Sequence, residues 1–359
     1  MGTGEYLITM KNILLISNHV FHYRQKVYNA FVERFHNDGY EFHVASDSFQ
    51  DAGYNFKFKD HVVKMTIRNY ISLIDKIKPE CVIVFLHLKD YIQIPVILYC
   101  RLRKIPVIFW NKGLSVTDAK NPIKNFAYHR IHDLANALIT YTPDMKGNFQ
   151  QKNYNKLFVA YNSLDFSDID KSKYSDTISI KKKYGIKEKH VILYVSRMQP
   201  YKRPELLANL FANQEDVAVV FMGAGMTPEL QAKIDGAANL YYLGQKYGEE
   251  GNEVFAMGDV FSTPGNIGLS ICDALFWNLP ICLLKGDHAP EIYYMKDGRT
   301  GFLADNEEDF KEKTLELLRS ESNLARAKQE CEKEYQAEVS IDRMYQGFSD
   351  AIAYCKKSY

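Results

Sequence analysis

Two cations set five residues apart, Arg197 and Lys202, are the side chains of this sequence best placed to do chemistry. Arg197 follows the apolar run 191–195 and Ser196, and Lys202 precedes the amphipathic segment 204–211. A cation pair just past a strand end, at the mouth of the next helix, can hold an anionic group. In an open α/β sheet the carboxyl ends of the strands are where ligands bind, and an arginine with a lysine there suggests a diphosphate. Taken alone, such a pair is more often surface charge on a turn. The sequence that follows decides between the two.

Downstream, Gly223-Ala224-Gly225 and Gly244-Gln245-Lys246 each come just after a strand-like run. Glycines there permit close backbone approach, and the Gln245 loop is a candidate to pack against a nucleotide base. Turn geometry alone accounts equally well for an isolated Gly-x-Gly. The segment Ser262-Thr-Pro-Gly-Asn-Ile-Gly268-Leu269 then leads into Ser270 and Asp273. Gly268, Leu269 and Ser270 are expected to open a helix whose first amides face phosphates. Asp273, less than two turns in, is placed to accept hydrogen bonds from ribose hydroxyls, the plainer role being a helix cap.

These blocks, in this order, resemble glycosyltransferase family 4, a large retaining family that includes many bacterial surface-polysaccharide enzymes. The resemblance covers residues 191–304: Ser196-Arg197-Met198 and Lys202-Arg203, the Gly223 and Gly244 turns, 262–275, Leu279-Pro280-Ile281, and Pro290-Glu291 through Asp297-Gly298 to Gly301-Phe302. It implies the GT-B fold, two Rossmann-like α/β domains with parallel sheets facing across a cleft. It implies a nucleoside-diphosphate sugar (NDP-sugar) as donor, no metal and no cofactor, Arg197 and Lys202 neutralising the leaving diphosphate, and Asp273 standing where the family has the second glutamate of a Glu-x7-Glu pair. The first glutamate is absent. Counting back gives Gly265, followed by Asn266. Asn266 can substitute as a neutral hydrogen-bonding group, or the 264–266 turn can offer backbone amides; a plain turn is an equal reading. A variant Pro-Gly-x-Val-Gly-Leu pattern occurs among lipopolysaccharide and capsule transferases, and the alternative is lost activity.

Strands must position these groups. Apolar runs at 12–17, 42–45, 81–85, 106–110, 137–140 and 157–160 alternate with helical patterns in the first half, the signature of βαβ units and a parallel sheet. With 359 residues there is chain enough for two domains. The boundary is expected near 165, giving an acceptor domain at 1–165, a nucleotide-sugar domain at 166–341, and a last helix at 342–359 returning to the first. A loop over 18–24 is expected to lead into the first long helix.

Residues 1–165 hold 21 Lys and Arg against 14 Asp and Glu, whereas the whole chain has 45 against 44. A basic first half can attract an anionic acceptor or a phospholipid surface, yet no polybasic block of nucleic-acid-binding type is present. Six cysteines without a CxxC pair fit reduced thiols in small core positions, not a disulfide framework or a zinc site. No run reaches the ~20 apolar residues of a membrane span, and residues 2–9 do not read as a signal peptide. The expected location is the cytoplasm, with peripheral contact at the inner face of the membrane as an option.

The acceptor side is less legible. His19, His22 and Arg24 in the first loop, and Lys112 after the run 106–110, are candidates to bind a phosphate or position an acceptor. The expected activity is transfer of a hexose from an NDP-sugar to a saccharide or polyprenyl-linked saccharide in O-antigen, capsule or exopolysaccharide synthesis. Two other readings stay open: a non-catalytic paralogue acting as a binding or scaffold subunit, which Gly265 makes credible, and a sugar-nucleotide epimerase of the same fold.

Overall fold

The computed structural model describes residues 10–50, 55–86, 92–114 and 122–357; the reading of residues 2–9 lies outside them. The chain splits into two compact units, Met1–Asp165 with Ser340–Tyr359, and Phe166–Val339.

The first unit contains strands β1 (Lys11–Ile16), β2 (His19–Val20), β3 (Tyr40–Ser46), β4 (Ser48–Phe49), β5 (Lys59–Val62), β6 (Cys81–Phe85), β7 (Val107–Trp110), β8 (Ala137–Thr140) and β9 (Leu157–Val159). Its helices are α1 (His22–Asn37), α2 (Ile67–Ile77), α3 (Gln93–Leu102), α4 (Pro122–His132) and a terminal helix, Ile341–Lys357. Seven strands form a parallel sheet in the order β5-β3-β1-β6-β7-β8-β9. The central strands are apolar on both faces because helices cover both. α1 and the terminal helix bury Phe31, Phe35, Met344 and Phe348 against Ile13 and Leu15. On the opposite face α2, α3 and α4 bury Tyr70, Ile74, Val96, Ile97 and Ile131 against Leu14 and Ile16.

Two local features differ from the sequence expectation. The expected loop over 18–24 is instead strand β2, which holds His19, and the start of helix α1, which begins at His22 and has Arg24 in its first turn. β5, Lys-Asp-His-Val, is an edge strand paired only with β3, and its largely exposed residues carry no apolar alternation that would mark it.

The second unit contains α5 (Thr177–Lys183), β10 (His190–Val195), α6 (Pro204–Phe211), β11 (Val217–Met222), α7 (Pro228–Asp235), β12 (Leu240–Tyr242), α8 (Gly248–Ala256), β13 (Val260–Ser262), α9 (Ser270–Phe276), β14 (Ile281–Leu284), β15 (Gly301–Ala304), α10 (Glu307–Arg319) and α11 (Glu321–Glu338). Six parallel strands run in the order β12-β11-β10-β13-β14-β15. Each unit is therefore a Rossmann-like α/β half. All six cysteines are free and buried, including Cys331, whose neighbours in the sequence are charged.

The terminal helix lies directly on the backbone of β9. A Cβ at Gly347 would stand 2.4 Å from the Val159 carbonyl oxygen, so only glycine permits the contact. Gly347→Val is expected to cost about 2–3 kcal/mol by overpacking. Calorimetry of the full chain should show the melting temperature lowered by roughly 4–12 °C; an unchanged transition would mean the helix does not need this approach.

Candidate active site

In the second sheet the strand order reverses between β10 and β13. β10, β11 and β12 step to one side, and β13, β14 and β15 to the other. The carboxyl ends of β10 and β13 therefore flank the crevice where such sheets bind ligands. The loops after them, 196–203 and 263–269, meet there.

They meet through main chain. The Gly265 amide donates to the Lys202 carbonyl at 3.1 Å, and the Asn266 amide to the Tyr201 carbonyl at 3.0 Å. A Cβ at Gly265 would fall 2.1 Å from the Tyr201 oxygen and 2.7 Å from the Lys202 Cα. No residue with a side chain fits between the two loops. Lys202, only 9% exposed, returns across this contact, and its Nζ donates to the Asn266 carbonyl at 2.9 Å.

A second stitch ties in the loop after β14. The Asn266 side chain donates to the Asp287 carbonyl at 2.9 Å, and the Ala289 amide to the Ile267 carbonyl at 3.0 Å. His288 fixes the corner: its Nδ1 accepts the Ile267 amide at 3.3 Å and its Nε2 donates to the Leu284 carbonyl at 2.9 Å. Burial holds the imidazole pKa below its usual value, which keeps Nδ1 an acceptor at neutral pH. Sequence reasoning passed over His288 because a lone histidine between two motif blocks carries no pattern. The Asn266 carbonyl was missed because a main-chain acceptor has no sequence signal at all.

On the other side, the loop after β11 lies against the Arg197 segment, and the loop after β12 lies against that loop in turn. Met198 donates its amide to the Ala224 carbonyl at 2.8 Å, and Gly223 donates to Gly244 at 2.9 Å. Gly223 has φ +145°, and a Cβ there would sit 1.9 Å from the Ser196 oxygen. Gly225, at φ +87°, also lies in the region that favours glycine. Gln245 is exposed just past Gly244, its Oε1 accepting from the Tyr247 hydroxyl. Gly268 and Leu269 lead into α9, which starts at Ser270 and has no side-chain cap, and Asp273 lies half-buried in its first turn.

Charge is distributed unevenly over these loops. Arg203, Lys246 and Lys285 pair with Glu307, Glu250 and Asp305. Among the described residues, neither Arg197 nor Lys202 has a carboxylate within ion-pair distance. Burial, with a further push from the Arg197 charge, lowers the Lys202 pKa to about 8. Two neighbouring cations without a counter-charge favour an incoming dianion.

The first-unit candidates lie at the carboxyl edge of their own sheet, each already engaged. His19 Nδ1 is 2.6 Å from the Ser48 hydroxyl, and His22 Nδ1 is 3.2 Å from Gln50 Oε1. Arg24 is buried: it donates to Asn162 Oδ1 at 2.9 Å and lies over the Trp110 ring, 4.6 Å from its centroid. Lys112 lies over the Tyr141 ring at 5.4 Å. The structure thus links Arg24 and Lys112 through Trp110 and Tyr141, whose rings are 5.8 Å apart. Asn162, Ser48 and Gln50 were not legible as partners, because Asn162 lies 138 residues from Arg24, and Ser48 and Gln50 lie 29 and 28 residues from their histidines.

Lys202 gives the site a pH dependence. Its lowered pKa means that the ammonium loses its proton near pH 8, and an anion needs it charged. Affinity for inorganic pyrophosphate, measured by calorimetry on the full chain and taken relative to Lys202→Arg so that the ligand's own ionisation cancels, is expected to be level below about pH 8 and to fall by up to about tenfold per pH unit above it. A flat profile through pH 9 would exclude Lys202 as an anion ligand. Gly265→Glu, which places a carboxylate where the resemblance expects one, should part the two loops and weaken pyrophosphate by at least about tenfold. Wild-type affinity in that variant would show the close approach to be dispensable.

Residues 189–320 match the family model described as glycosyl transferases group 1. Over 153 residues the chain is 26% identical to the sulfoquinovosyl transferase SQD2 of Arabidopsis thaliana; the match covers 42% of this chain and 30% of that relative, so the chain spans less than a third of its length. Among solved structures, HepE of Anabaena in complex with UDP-glucose superposes with a TM-score of 0.73 at 13% identity, covering 97% of this chain and 100% of that one. Sucrose-phosphate synthase of Thermosynechococcus elongatus gives 0.71 at 11% identity, covering 97% and 100%. WaaG, a glycosyltransferase involved in lipopolysaccharide biosynthesis, gives 0.68 at 12%, covering 95% and 99%. The chain has the GT-B fold, and its second unit carries a region similar to the group 1 glycosyl transferases.

Proposed function

We propose that this protein is a retaining, metal-independent glycosyltransferase that moves a hexose from an NDP-sugar to a saccharide or lipid-linked saccharide acceptor, in the manner of the surface-polysaccharide enzymes of family 4. The observation that carries the reading is the Arg197–Lys202 pair: two cations without a carboxylate partner among the described residues, at the switch point of the second sheet.

In this reading Arg197 and Lys202 bind the diphosphate and take up the charge that develops as the glycosidic bond breaks. Lys202 is held for the task by the Asn266 carbonyl and by burial, so little reorganisation accompanies the reaction. Gly223 and Gly225 let backbone approach the donor, Gln245 faces the base, Asp273 receives ribose hydroxyls, and the leaving phosphate accepts the proton of the attacking hydroxyl. His19, His22, Arg24 and Lys112 serve the acceptor. The UDP-glucose bound to HepE and the matched region in SQD2 support a nucleotide-sugar donor.

A second reading, a subunit that binds the donor without turning it over, draws on Gly265, which puts no side chain into the site. One experiment separates the two. The full chain is screened against UDP-, GDP-, ADP- and CMP-sugars, with and without EDTA, for thermal stabilisation and for slow donor hydrolysis. Transferase chemistry predicts EDTA-insensitive stabilisation by one nucleotide class, with hydrolysis reduced roughly 10²–10³-fold in Arg197→Ala and in Lys202→Ala. Stabilisation without any turnover would favour the binding subunit, and wild-type turnover in either variant would remove the central assignment. Retention is read from the anomeric proton coupling of the product.

A further inference from the structure

The first turn of α1 carries a charge that its surroundings do not neutralise. Arg24 is only 7% exposed, yet no carboxylate lies within ion-pair distance of it among the described residues. Its Nη1 donates to the neutral Asn162 Oδ1 at 2.9 Å, and its Nε and Nη2 have no acceptor among those residues. Tyr28, whose phenolate would be a counter-charge, stays neutral because burial pushes its pKa up to about 12. What holds the guanidinium is aromatic. It lies 4.6 Å from the centroid of the Trp110 ring and 5.5 Å from that of Tyr23. The Trp110 indole Nε1 is itself buried without an acceptor. A buried cation with unused donors is unfavourable until an anion completes it, and the guanidinium fork matches the oxygens of a phosphate or a carboxylate.

Aromatic rings continue outward from that charge. Tyr23 is half-buried, and its ring lies parallel to that of Phe21, 5.8 Å away with 5° between the planes. Phe21 is 45% exposed, with the His19 ring edge-on to it at 4.5 Å. It occupies the N-cap position of α1, where a short polar side chain would bond the free amides of the helix and a phenylalanine cannot. The row of Phe21, Tyr23, Arg24 and Trp110 lies at the carboxyl edge of the first sheet, where α/β units bind ligands. Exposed parallel rings beside a buried cation suit a sugar: the negative ring faces attract the polarised C–H groups on the apolar side of a pyranose, while the guanidinium takes an oxyanion on the same molecule. We infer that this row binds a saccharide carrying an oxyanion, its sugar ring on Phe21 and Tyr23 and its phosphate or carboxylate on Arg24. The role of that saccharide as acceptor rests on the transferase reading, whereas its binding does not.

The test uses the full chain carrying Arg197→Ala/Lys202→Ala, which removes the cation pair of the second unit. Glucose 1-phosphate, glucuronate and glucose are titrated to millimolar concentration and followed by saturation-transfer NMR. One of the two anionic sugars is expected to bind at least about tenfold more tightly than glucose, and which one does so identifies the oxyanion as phosphate or carboxylate. Arg24→Gln should erase that preference, and Phe21→Ser should weaken the preferred sugar by at least about fivefold. Serine is favoured at a helix N-cap, so Phe21→Ser should melt no lower than its parent and keeps the test decisive if Arg24→Gln does not fold. Equal affinity for the three sugars, binding of none, or unchanged affinity in Phe21→Ser overturns the assignment. A chain that fails here yet hydrolyses a nucleotide sugar keeps the transferase reading without this site. One that binds an anionic sugar here but hydrolyses no donor keeps the site and loses that reading.

Discussion

The approach of the Lys202 turn to Gly265 is the contact on which the second unit's site depends. Two loops from neighbouring strands exchange main-chain hydrogen bonds at van der Waals range, and the space between them admits no Cβ. That approach buries Lys202, directs its ammonium to the Asn266 carbonyl, and brings it close enough to Arg197 for their charges to interact. A carbonyl holds the lysine by dipole alone and leaves its net charge in place. A carboxylate would have cancelled that charge. At 265, where the resemblance led to the expectation of a glutamate, the volume that a side chain would need is filled by backbone.

The same loops gain rigidity from their neighbours. Asn266, which sequence reading offered as a stand-in for the glutamate, spends its side-chain amide on the Asp287 carbonyl, and His288 bridges Ile267 to Leu284. On the far side Gly223 sits against Ser196 so closely that the β11 turn forms a wall for the Arg197 segment. The first unit follows a different logic. There Arg24 is drawn under the surface by Trp110 and Asn162, and His19 of β2 and His22 at the start of α1 are tied to Ser48 and Gln50. Polar groups held in pairs have their desolvation offset by hydrogen bonds.

Much of the fold was legible. The run Cys81–Phe85, the segment Ala137–Thr140 and the helix Pro204–Phe211 coincide with observed elements, because strands buried on both faces must be continuously apolar and an amphipathic helix must show its period. The edge strand β5 was not legible, since its exposed residues face no apolar selection. Nor was the start of α1, where Phe21 precedes the helix without any side-chain cap to announce it.

For the site, the sequence by itself determined which residue types arrive past the strand ends: Arg197, Lys202 and the glycine turns follow apolar runs whose β-structure is a local property, and Asp273 comes with the helix after β13. Only the tertiary structure decided what those residues experience. Burial of Lys202, the exclusion of any side chain at 265, the tautomer of His288 and the engagement of Arg24 all arise from contacts between segments tens to more than a hundred residues apart. Local patterning sets where a side chain emerges from the sheet. Desolvation, pairing and excluded volume depend on what the rest of the chain brings alongside it, and no window of sequence contains that information.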